Sequence, residues 1–175
     1  MFSKIEKYIR ILSDINWMQT LQLYRRIKKP RSCSIRVLNR SNIKLAPTAT
    51  IEMAERSSFE INRQDYLRTH ERSTLYLGDN ATLRFNGRFA THGHSSIMVH
   101  DNAVLEIGNN TYLYGGSIEC SHHICIGNDS AIADGVRIMD DSWHTAPSPI
   151  GGYDKNRKQG LDSYRSDDYA RCDYR

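Results

Sequence analysis

Two hydrophobic rhythms divide this chain. In the first 29 residues the apolar positions fall at helical spacing: Ile5, Tyr8, Ile9 and Leu12 follow the i, i+3, i+4, i+7 stripe that lines one face of a helix. Ser13, Asp14 and Asn16 interrupt the stripe and are good N-caps. They predict a break at 13–16 and a second helix from Trp17 to about Ile27, ended by Pro30. From residue 43 the period changes. Residues 75–83 (LYLGDNATL), 105–113 (LEIGNNTYL) and 124–132 (ICIGNDSAI) share one template, in which a pair of aliphatics two apart is followed by Gly, two Asp/Asn residues, two variable residues and another aliphatic. IMVHDNAVL at 97–105 is a fourth copy without the Gly, and IKLAPTATI at 43–51 is a weaker fifth.

Aliphatics two apart lie on one face of a strand. The Gly-Asp-Asn and Gly-Asn-Asn runs after them read as corners, because Gly takes a positive φ without steric cost and Asn and Asp tolerate it. The next aliphatic follows six residues on, as in Leu77→Leu83, Ile107→Leu113 and Ile126→Ile132→Ile138. A short internal repeat with one inward aliphatic per six residues predicts a solenoid, in which each unit buries its apolar side only against its neighbours. A sandwich of hairpins needs longer alternating strands joined by two-residue turns, and these runs are too short and cornered too often. The expected organisation is a helical arm over 1–30, a solenoid over 31–145 and an irregular tail over 146–175. That tail has eleven charged residues in thirty and only Ile150 and Leu161 as large aliphatics.

The stretch I126-G-N-D-S-A-I-A-D-G-V-R-I-M-D-D-S-W-H144 resembles the hexapeptide-repeat acyltransferases, the maltose/galactoside O-acetyltransferase-like group. The repeat of that group is aliphatic-Gly-x-x-small-x. I126-G-N-D-S-A matches it fully, L77-G-D-N-A-T and I107-G-N-N-T-Y match it well, and the likeness covers about residues 43–144. The resemblance implies an all-β fold, the left-handed parallel β-helix. It also implies a homotrimer, with acetyl-CoA as acyl donor bound between neighbouring subunits and a sugar or polysaccharide-precursor hydroxyl as acceptor. By the same similarity His144 is the general base, a role that suits a side chain titrating near neutral pH against a hydroxyl too weakly acidic to attack a thioester unaided.

An orienting acid normally accompanies such a base. Asp140 and Asp141 are both placed for it, and Asp140 stands where similar sequences carry the first acid of the loop. Trp143 and Tyr114 are the candidates for contact with substrate. No Ser or Cys lies in a recognisable nucleophile motif, so direct transfer is expected. Members of the group normally continue with further coils after this loop. The aliphatic rhythm here ends at Ile138, so the sequence reads as truncated at its C-terminus, and its alternative is a non-catalytic β-helix remnant acting as an assembly or binding module.

Charge changes one part of this picture. Residues 1–40 carry ten Lys/Arg against Glu6 and Asp14, a sum of +8 within a total of +4, so the other 135 residues carry −4. A basic amphipathic arm on a mildly acidic body is an attachment surface, for a partner subunit or for anionic lipid. Without an interleaved aromatic platform it does not indicate nucleic acid. No stretch approaches the ~18 apolar residues of a membrane span, and MFSKIEKYIR has no signal-like apolar core, so the expected location is cytoplasmic.

Cys33, Cys120, Cys125 and Cys172 are too few and too scattered for a disulfide scaffold and are expected as four reduced thiols. His92, His94, His100, His122 and His123 form a tempting cluster. Their spacing lacks a well-placed partner acid, so they are expected at polar corners and no metal is predicted. An ice-binding solenoid would need a ladder of Thr-x-Thr, and Thr48/Thr50 is the only such pair.

Overall fold

The computed structural model describes residues 13–28, 32–63 and 72–141. The expected first helical stripe, Trp143, His144 and the tail lie outside the described residues. One helix, α1 (Trp17–Tyr24), leads into fifteen short strands: β1 (Ile27–Lys28), β2 (Ser34–Val37), β3 (Ser41–Leu45), β4 (Thr50–Met53), β5 (Ser58–Ile61), β6 (Ser73–Leu77), β7 (Thr82–Phe85), β8 (Arg88–His92), β9 (Ser96–Val99), β10 (Val104–Ile107), β11 (Thr111–Tyr114), β12 (Ser117–Cys120), β13 (His123–Ile126), β14 (Ala131–Ile132) and β15 (Arg137–Met139). The strands fall into three five-stranded sheets, β1-β4-β7-β10-β13, β2-β5-β8-β11-β14 and β3-β6-β9-β12-β15. All their pairings are parallel, and each strand pairs with the strand three later. The chain therefore winds through the three faces in turn for about five turns, a left-handed parallel β-helix.

The six-residue rhythm is the step from face to face. Ile126, Ile132 and Ile138 sit on β13, β14 and β15, one on each sheet. Each inward aliphatic then stacks on its equivalent one turn away. Ile51, Leu83, Leu105 and Ile124 form one column, and Ile43, Leu75, Ile97, Ile118 and Ile138 another. Nearly all of these side chains are buried, in a single continuous core. On the second face the column widens to Phe59 and Phe89, which pack with Phe85 at ring-centroid distances of 4.5–5.6 Å. The removal of this apolar surface from water is the main stabilising term of the coil.

The corners differ from the sequence expectation in one respect. The left-handed residue is not the glycine but the second Asp/Asn after it: Asn80, Asn110 and Asp129 have φ between 53° and 56°, and Asn102, in the copy without the Gly, has φ 61°. The glycine answers to a different constraint, the closeness of the next turn. A Cβ on Gly78 would lie 2.3 Å from Asp101 Oδ1 and 2.8 Å from the Asp101 amide nitrogen, and one on Gly108 would lie 2.5 Å from the carbonyl carbon of Gly127. The corner side chains ladder as well: the Asp79 amide donates to Asp101 Oδ1 (2.8 Å), and Asn110 Nδ2 donates to Asp129 Oδ1 (2.7 Å).

The first turn is closed by α1. The helix starts at Trp17 as predicted, capped by the Asn16 side chain accepting from the Gln19 amide (3.1 Å), but it ends at Tyr24 rather than near Ile27. Ile27 and Lys28 instead pair with Ile51 and Glu52 as strand β1. Leu23 is fully buried on the solenoid end. Two edge donors of β2 are satisfied by helix side chains: the Val37 amide donates to Thr20 Oγ1 (3.1 Å) and the Ile35 amide to the Tyr24 hydroxyl (2.9 Å).

Candidate functional site

Outward-facing positions carry the polar chemistry, since the inward ones are committed to the core. On the first face the pairs Lys28↔Glu52, Glu52↔Arg84 and Arg84↔Glu106 set opposite charges over one another. Lys28 Nζ reaches Glu52 at 3.3 Å, Arg84 bridges Glu52 and Glu106 at 2.8 and 3.2 Å, and His123 Nε2 lies 3.1 Å from Glu106 Oε1. Burial pushes the Glu52 carboxyl up, but hydrogen bonds and charge from Arg84 and Lys28 outweigh it and hold the group below its ordinary value. On the third face Arg137 hydrogen-bonds Glu119 and lowers its pKa, against burial and with help from His100 at 3.4 Å.

These carboxylate–imidazole pairs, His123–Glu106 and His100–Glu119, were not singled out from the sequence. The available signal was strand alternation, which puts Glu52, Arg84 and Glu106 at equivalent outward positions of successive repeats. A carboxylate holding one ring nitrogen fixes the tautomer and orientation of an imidazole.

The sequence-predicted site residues fall at two separate corners. Asp140 follows β15, at the corner between the third and first faces, one place beyond the Glu119↔Met139 pair and therefore over Cys120 of the turn below. Its carboxylate accepts three backbone N–H bonds, from Ser121 to Oδ1 (2.6 Å) and from His122 and His123 to Oδ2 (2.7 Å each). Burial raises its pKa, yet these three donors prevail and hold it below the usual carboxylate range. The bonds use most of the acceptor directions a carboxylate offers. Asp140 thus pins the chain just before Asp141, which is partly exposed.

Cys120 Sγ lies 3.7 Å from Asp140 Oδ2, and burial together with that charge pushes the thiol up to about 12. It stays protonated and is no nucleophile. Cys33 likewise carries a thiol, whereas Cys125 is disulfide-bonded, which corrects the expectation of four reduced thiols.

Tyr114 ends β11, at the corner between the second and third faces, so the structure does not bring it to Asp140. It is 44% exposed and stacks on His92 (centroids 4.6 Å, 23°) and on Tyr112 (6.0 Å, 23°). The shelf beside Tyr112 is small, because its register partners are Ala90 below and Ala131 above. His92, His100 and His123 lie on strand β8, at the end of β9 and on β13, one for each face. Among the described residues no group of three or more His, Cys, Asp or Glu converges as a metal site.

Comparison with protein-family models, with curated proteins and with solved structures returns no match to this chain. The functional reading rests on the residues and the coil that carries them.

Proposed function

We propose that the chain is an acyltransferase of the hexapeptide-repeat kind, moving acetyl from acetyl-CoA to a sugar hydroxyl, with His144 as general base and three copies assembled around the donor. The observation that carries this reading is the way the stacked corners run into D140-D-S-W-H144. The carboxylate of Asp140 anchors the chain on three backbone N–H groups four residues before His144. Four residues of extended chain span at most about 14 Å, so this anchor bounds the region in which the base can act.

In this mechanism the imidazole of His144 takes the proton of the acceptor hydroxyl. The resulting alkoxide attacks the thioester carbonyl, backbone N–H groups hold the tetrahedral oxyanion, and the C–S bond breaks. The CoA thiolate then recovers the proton from the imidazolium. Asp140 steadies the segment that carries the base. Trp143 is a platform for sugar C–H faces, whereas Tyr114, at a different corner from Asp140, takes no part in this site.

The alternative, a non-catalytic assembly module, is favoured by one observation. Among the described residues nothing pairs with the outer edge of β13, β14 and β15, and Val136 and Met139 are exposed there.

The test is release of the CoA thiol from acetyl-CoA by the full chain against a panel of sugar acceptors. His144→Ala is expected to lower turnover by about 10²–10⁴-fold with an unchanged far-UV spectrum, and undiminished turnover would remove His144 from the mechanism. No thiol release by the folded chain with any acceptor would favour the assembly module.

A further inference from the structure

Helix α1 covers the first turn with one face only. Thr20 and Leu23 are buried against the coil, while Trp17, Met18 and Leu21 are 60%, 85% and 54% exposed. At about 100° per residue these three side chains form an apolar stripe roughly 100° wide, turned away from the buried side. They make up half of the exposed large hydrophobics among the described residues. Single exposed apolar residues need no explanation, but a contiguous helical stripe does.

The C-terminal end of the stripe is cationic. Arg25, four residues after Leu21, is the C-cap and continues the same side of the helix with a positive charge. Arg26 and Lys28 follow, and over residues 13–28 these three cations face only Asp14. The Lys28 side chain is largely exposed despite its 3.3 Å pair with Glu52, and the Arg26 guanidinium donates to the Pro47 carbonyl.

We infer that this outer face of α1 docks on an anionic lipid surface, with Trp17, Met18 and Leu21 entering the headgroup boundary and Arg25 and Lys28 meeting lipid phosphates. Charge complementarity selects this occupant. A second copy meeting the same face by twofold symmetry would set its cations against these, whereas anionic headgroups neutralise the rim as the apolar stripe is buried. The contact is peripheral, since no described helix is long and apolar enough to cross a membrane. It does not depend on the acyltransferase reading.

The experiment is flotation of the full chain with phosphatidylglycerol/phosphatidylcholine vesicles, or with phosphatidylcholine alone, at about 0.02 M and about 0.5 M salt. Binding is expected on the anionic vesicles at low salt. It should fall about tenfold or more at high salt or on the neutral vesicles. In a Trp143→Phe background, Trp17 emission should shift to the blue on binding.

The double variant Met18→Glu/Leu21→Glu is expected to lose about tenfold or more in partitioning, with its far-UV spectrum and melting temperature unchanged because both positions are exposed. Absence of binding by the unaltered chain at low salt, undiminished binding by the double variant, or equal binding to neutral vesicles would each overturn the proposal. So would a self-association that the double variant abolishes in a chain that ignores vesicles, because that result assigns the face to a second copy.

Discussion

The two ends of the solenoid solve the same problem differently. A parallel coil buries its apolar columns and pairs its backbone only against neighbouring turns, so each terminal turn has an apolar end and unpaired edge groups. At the first turn the chain spends a helix on it: Leu23 plugs the end, and Thr20 and Tyr24 accept from the Val37 and Ile35 amides. At the fifth turn the described residues show a lighter device. Asp140 closes one corner on three backbone donors, while Gly127 and Gly135 face open space and Val136 and Met139 are exposed. Among the described residues one end is finished as a surface, and the other keeps the geometry of an interior turn. The proposed catalytic segment departs from that second end.

The contrast can be tested by substitution at each end. Leu23→Ala should cost about 3 kcal/mol, as a truncated and fully buried core leucine, read from denaturant midpoints. Ile138→Ala, at the same task in the fifth turn but only partly buried, should cost well under half of that. Equal losses at the two sites would mean that the fifth turn is covered as well as the first.

The next largest effect compares two glycines at the same place in the repeat. Gly108→Ala should destabilise by about 2 kcal/mol, because its Cβ has no room beside Gly127 and Asn128. Gly127→Ala meets nothing within 4 Å and should change stability by no more than about 0.5 kcal/mol in the isolated chain. A large loss at Gly127 would show another turn or another molecule stacked there.

Asp140→Asn should cost about 1–2 kcal/mol at neutral pH, since the amide cannot accept all three N–H bonds. Its folded-state pKa is depressed, so the charged form contributes stability that is complete above the ordinary carboxylate value near 4 and is lost as pH falls through the lower folded value. Melting temperatures recorded against pH should therefore drop less steeply below about pH 4 in the variant than in the parent. Tyr24→Phe, which removes only the hydroxyl that accepts from Ile35, should cost about 1 kcal/mol.

Much of the coil was readable from residues alone because its signal is local and repeated. Paired aliphatics such as Leu75/Leu77 and Leu105/Ile107, each followed by Gly-Asx-Asx, fix strand, corner and rhythm within nine residues, and the structure stacks them in register. Strand β1 escaped notice, falling within the expected helical arm, since Ile27–Lys28 lacks that corner and pairs only with residues 24 places on; β2 (Ser34–Val37) lay inside the expected solenoid without a copy of the template. The early end of α1 has the same origin, because Ile27 is worth more as the base of the Ile51 column than as a last helical turn.

What composition and period determined was the class of fold, the place of its core columns and the identity of its corners. Those depend on side-chain volume and backbone preference, which each residue carries with it. The tertiary structure decided which element of a corner does which work: Asn80 and Asn110 take the left-handed turn, and Gly78 and Gly108 yield space to the next coil. It also decided that Asp140 is spent on backbone donors, that Glu106 and Glu119 are held by histidine and arginine, and that three apolar side chains of α1 face outward. Such facts depend on what stands one turn away, some twenty residues along the chain, and no local pattern contains that distance.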